Sequence, residues 1–95
     1  MKGIVVLTDS EAMPAFERAF LEADHGFTVI PGVVGSGRTG FKGGDRVHPG
    51  ATSLLLAMVR EAERGEVESL LRRVRDESGV AEATRFYAFD AEELG

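Results

Sequence analysis

Ninety-five residues, 43% apolar and 28% charged, give one core's worth of chain with the composition of an ordinary globule. The net charge of −5 provides no broad cationic surface, which argues against nucleic-acid or anionic-membrane binding. Without cysteine there is no disulfide, thiolate metal site or cysteine nucleophile, and a cytoplasmic protein is expected.

The chain opens with "KGIVVLT" (2–8), a β-branched run that reads as a buried strand bounded by Asp9 and Ser10. One lysine and an apolar run of five do not make a signal peptide, and no apolar stretch approaches the roughly 20 residues of a membrane span, so direct membrane insertion is not expected. Asp9 and Ser10 are placed to cap a following helix. In that helix Phe16, Ala19, Phe20 and Ala23 recur at i, i+3, i+4 and i+7, forming one apolar stripe. Pro14 suits its first turn and Gly26 the left-handed residue that ends it. His25, beside that end, is expected to favour the helix dipole when protonated.

"FTVIPGVVG" (27–35) predicts a second strand, and Pro31 makes it an edge or bulged one, because proline cannot donate to a ladder. "TSLLLAMVR" (52–60) predicts a third, with Leu54, Leu56 and Met58 on one side and Leu55, Ala57 and Val59 on the other. "EVESLLRRVRDESG" (66–79) is a second helix on Val67, Leu70, Leu71 and Val74, with Gly79 ending it. Its "RRVRDE" run reads as a solvated face with compensating acids. "EATRFYAFD" (82–90) is the last strand and "AEELG" an acidic end.

The order β-α-β-β-α-β predicts an α+β, ferredoxin-like domain over residues 1–95: a four-stranded antiparallel sheet with two helices on one face. Strands three and four are apolar on both sides, so the second sheet face needs a cover, most simply another subunit.

Residues 32–52 carry seven glycines among 21 residues, with Arg38, Lys42 and Arg46 against the single acid Asp45. Outside that segment 8 basic residues face 15 acidic ones, so positive charge is concentrated there. Glycine amides can form an anion-binding nest, and an arginine adds bidentate contacts to phosphate or carboxylate. Gly35, Gly37, Arg38, Thr39, Lys42 and Arg46 are therefore the candidate ligand-binding residues. The spacing fits neither a dinucleotide fingerprint nor a Walker A loop.

Gly35, Ser36, Gly37 and Arg38 at the end of a strand, then a glycine-bearing loop returning into a third strand, resemble the PII signal-transduction proteins. The likeness in layout covers nearly the whole chain, and in motif about twenty residues. The resemblance implies a homotrimer with sheets facing inward, and an adenine nucleotide (ATP, ADP or AMP) in a cleft between subunits. It also implies phosphates against Gly37 and Arg38, and a T-loop-like segment at about 35–51. Residues 39–50 would then contact a membrane transporter or an enzyme.

Thr39 stands where nitrogen-regulatory members carry a glutamine that organises magnesium and 2-oxoglutarate. "DESGVAEATRF" lacks the lysine of their second phosphate loop, and "AEELG" replaces their basic C-terminal residues. A monophosphate, bicarbonate or other small anion suits the half-site that remains.

His48 and Asp45 supply two metal-capable side chains, short of the three or four of a stable site. They carry the alternative reading, a CutA-like structural or divalent-metal trimer of the same topology. No nucleophile–base or paired-carboxylate arrangement is legible, so no enzyme is expected. A small ferredoxin-like enzyme would need a pocket converging on Arg38 and His48.

Overall fold

The computed structural model describes residues 1–34, 52–79 and 81–95. Its elements are β1 (Lys2–Asp9), α1 (Met13–Glu22), β2 (Thr28–Val33), β3 (Thr52–Val59), α2 (Arg64–Ser78) and β4 (Arg85–Asp90). Short 3-10 turns over Glu61–Glu63 and Ala81–Ala83 lead into α2 and β4. The strands form one sheet in the order β2-β3-β1-β4, with every neighbour antiparallel. This is the ferredoxin-like arrangement the element order predicts.

One sheet face makes the core. Ile4 and Val6 of β1 and Leu55, Ala57 and Val59 of β3 are buried against Met13, Phe16, Ala19 and Phe20 of α1 and Val67, Leu71 and Val74 of α2. The two helical stripes therefore fall on the predicted positions, except that Ala23 lies just beyond α1 and outside the core, and Leu70 is only partly buried at the margin. Phe86 packs from β4, its ring 6.0 Å from that of Phe16 in an edge-to-face arrangement.

Pro31 behaves as its chemistry requires. β2 is an edge strand, and its pairing shifts between Ile30 and Val33 while β3 moves only from Leu54 to Thr52. The extra residue is a bulge, and Gly32 takes the left-handed conformation there, with φ 66°.

Three local expectations are corrected. The helix that was to end at Gly26 ends at Glu22, and the left-handed residue is Asp24, with φ 62°. Asp24 N–H donates to the Leu21 carbonyl and His25 N–H to that of Phe20, which is the paired bonding of a Schellman motif. Asp24 can hold this place because a short polar side chain tolerates the left-handed region better than most.

Asp9 and Ser10 do not cap α1 through their side chains. Asp9 instead gives its carbonyl to Ala12 N–H at 2.9 Å, closing a turn that delays the helix to Met13. The last strand begins at Arg85 rather than Glu82, because Ala81–Ala83 turn before it. Gly79 ends α2 as expected, with φ 69°.

His25 is more buried than a helix-end histidine need be, with a side chain 8% exposed. Its ring meets Phe20 edge-on at 6.1 Å, the apolar contact that accompanies a Schellman end. Its Nε2 lies 3.9 Å from Glu66 Oε2 on α2.

Candidate functional site

The glycine-rich segment joins Val34 to Thr52, so its flanks share one end of the sheet. Val33 pairs with Thr52, Thr52 with Asp9, and Leu7 with Arg85. The end of β2, the start of β3, the end of β1 and the start of β4 therefore meet there.

That end is built of hydroxyls where the rest of the core is hydrocarbon. Thr8 and Thr84 are buried, and their hydroxyl oxygens lie 2.7 Å apart, joining β1 to the residue just before β4. Ser10 and the buried Ser53 pair at 2.8 Å. In each pair one hydroxyl donates and the other accepts, a bond made without charge. They tie the first turn after β1 to β3, and the turn before β4 to β1. Arg85 fixes that second turn by donating from Nη1 to the carbonyls of Glu82, at 3.2 Å, and Thr84, at 2.9 Å.

Gly35, Gly37, Arg38, Thr39, Lys42 and Arg46 lie outside the described residues, as do Asp45 and His48. Only their two anchor points, Val34 and Thr52, are placed. Sequence reasoning missed Thr8, Thr84, Ser53 and Arg85 as parts of this end, and misassigned Ser10 as a cap. The available signal was "LTDS", "ATS" and "EATR", three strand ends that each combine hydroxyl side chains with a strand boundary. Among the described residues, no three His, Asp or Glu side chains gather as metal ligands would.

The second feature is the sheet face away from the helices. The registers place Val5 and Leu7 beside Leu54, Leu56 and Met58, with Ile30 and Tyr87 at the margins. Ile30, Met58, Tyr87 and Phe89 are 42–55% exposed, and none of these side chains is polar apart from the Tyr87 hydroxyl. An apolar face of this extent calls for a cover of its own.

Lys2 closes the opposite end of β1. Its Nζ lies 2.6 Å from Asp90 Oδ1 and 3.8 Å from Glu61 Oε2. The lysine's hydrogen bond and charge hold the Asp90 carboxyl below the ordinary aspartate range.

No family model matches the sequence, and no curated protein does. Solved structures do match the fold. CPII, a nitrogen regulatory PII-like protein from Thiomonas intermedia K12 bound to ADP, AMP and bicarbonate, matches with a TM-score of 0.64 at 13% identity, over 93% of this chain and 82% of its own. A DUF3240 family protein from Shewanella baltica OS155 matches with a TM-score of 0.68 at 11% identity, over 99% of this chain and 92% of its own. With its ferredoxin-like element order and sheet, the chain has a divergent PII-like fold.

Proposed function

We propose that the protein is a PII-like regulator: a homotrimeric sensor that binds an adenine nucleotide or a small anion at the base of residues 35–51. The observation that carries this reading is the placement of Val34 and Thr52 at the hydroxyl-lined sheet end, which Arg85 also borders. Covalent connection keeps Gly35, Gly37 and Arg38 within a few residues of that end. There their amides and guanidinium suit a phosphate or carboxylate. The nucleotide and bicarbonate bound by CPII, a protein of the same fold, are ligands of the kind this chemistry favours. The apolar open face supports assembly, since three copies turning that face inward would cover it.

The role is regulatory rather than catalytic. A ligand at the base of that segment shifts the balance between two states of the protein, and so its affinity for a transporter or enzyme partner that residues 39–50 would contact. Only differential contact supplies energy to such a switch.

The test is thermal unfolding with ATP, ADP, AMP or bicarbonate at fixed protein concentration, with assembly mass measured in parallel. A ligand at 100 times its Kd stabilises by about 2.7 kcal/mol. The expected result is a shift with one of these ligands that Arg38→Ala removes while the mass stays the same. A shift that survives Arg38→Ala removes that residue from the site, and no shift with any ligand defeats the sensor reading.

A further inference from the structure

The two edges of the sheet are treated differently. β2 is blunted by Pro31 and a bulge, the usual devices against pairing with another strand. β4, the other edge, has neither: its interior is Phe86, Tyr87, Ala88 and Phe89, and among the described residues no strand pairs with its outer side. Instead a groove of about 580 Å³ runs between β4 and α2, with Arg64, Arg72, Arg75 and Arg85 in its walls and Glu68 as its one acid. In a protein of net charge −5 this is a local reversal of sign.

The helix supplies a stripe. Arg64, Glu68, Arg72 and Arg75 succeed one another at helical intervals over about 16 Å, at 1.5 Å per residue. Six residues of β4 extend about 20 Å, so stripe and strand match in length. Glu68 bridges Arg64 at 3.2 Å and Arg72 at 3.5 Å, and Arg75 lies over the Phe86 ring with its guanidinium carbon 5.6 Å from the centroid. Arg72 keeps 65% of its side chain exposed, so its fork remains available to a second carboxylate.

We propose that the β4–α2 groove is a docking surface for an acidic extended peptide of a partner protein, which adds as a fifth strand along β4. An edge strand offers main-chain hydrogen bonds, and side chains flanking the edge set specificity. Successive side chains of an added strand point to opposite faces. Those on the helix side of β4, the side of Phe86 and Ala88, meet the arginine stripe and are acidic. Those on the side of Tyr87 and Phe89 extend the apolar face and are apolar. The partner motif is therefore acid and apolar in strict alternation over about five residues. This proposal does not rest on the nucleotide-sensor reading, which concerns the sheet end at Val34 and Thr52, although Thr84 and Arg85 border both places.

The test uses the full chain and a fluorescein-labelled peptide of alternating glutamate and valine, read by anisotropy. Three probes accompany it: the same composition in blocks, the alternating peptide with N-methylated backbone amides, and inorganic triphosphate as competitor. The alternating peptide is expected to bind, more weakly at high salt, and the block and N-methylated peptides at least about tenfold more weakly. Arg72→Glu with Arg75→Glu is expected to weaken the alternating peptide by about tenfold or more through lost and reversed charge pairs. The N-methylated peptide tests strand pairing on the unaltered protein, should that variant not fold. Equal binding of all three peptides, or displacement by triphosphate at matched charge, identifies a simple polyanion site and overturns the proposal. So does failure of the alternating peptide to bind.

Discussion

Phe89 lies across Gly3, its paired neighbour on β1, and its ring fills the space that a Cβ on Gly3 would occupy. A glycine inside a strand weakens it through unfolded-state entropy and the missing side chain, and an aromatic ring folded over the gap restores part of the loss. The two residues should therefore be strongly coupled. Gly3→Ala alone drives the ring off the strand and is expected to cost up to about 1 kcal/mol. In a Phe89→Ala background the same change is expected to stabilise by about 0.5–1 kcal/mol, because the ring that blocked the alanine is then gone. Chemical denaturation of the four proteins in a double-mutant cycle checks the sign reversal. Additive effects would show that ring and glycine are independent.

Met58 offers a clean probe of assembly. It sits on the open face and is 46% exposed, so Met58→Glu leaves the core untouched. If the face is the interior of a trimer, the buried charge is expected to weaken association at least about tenfold while the far-ultraviolet spectrum stays native. Light scattering during gel filtration would then move from the mass of three protomers toward one. An unchanged mass would place the subunit contacts elsewhere.

Asp24 holds a backbone conformation that glycine adopts without strain. Asp24→Gly is expected to stabilise by about 0.5–1 kcal/mol, raising Tm by roughly 2–8 °C in a chain of this size. A lower Tm would mean that the carboxylate contributes more than the backbone strain costs.

The Lys2–Asp90 bond gives a definite pH dependence. Its hydrogen bond lowers the folded-state pKa of Asp90 below the ordinary 3.8, so the native state holds the charged form more firmly than the unfolded chain does. The stabilisation is fully present above the unfolded value and is lost as pH falls through it to the lower folded value. Asp90→Asn is therefore expected to lower Tm at neutral pH, with the difference closing as the pH falls below that ordinary value. Because the Asp90 side chain is 89% exposed, added salt is expected to shrink the difference. A gap independent of pH would assign the effect to something other than the ionised pair.

Much of the fold was legible because periodicity reports which face of an element is buried. Phe16, Ala19 and Phe20, and likewise Val67, Leu71 and Val74, recur at helical spacing and enter the core together. Pro31 announced both an edge and a bulge, because a residue without an amide hydrogen cannot sit inside a ladder. Leu54, Leu56 and Met58 alternating with Leu55, Ala57 and Val59 signalled a sheet apolar on both sides.

Helix ends were less legible, since several residues near α1 could take each role. Gly26 was the better left-handed residue by propensity, but Phe20, His25 and Phe27 pack together only if the chain turns earlier, at Asp24. Ser10 was the better cap by type, yet its hydroxyl found Ser53, 43 positions away. The pairing of Thr8 with Thr84 and the alignment of three α2 arginines beside β4 have the same origin. Composition, local periodicity and turn chemistry are properties of neighbouring residues, so the sequence by itself determined the elements, their buried faces and the need for cover on the sheet. Which hydroxyls meet, which edge stays open and where charge converges depend on residues brought together by strand order and register, and those only the tertiary structure decided.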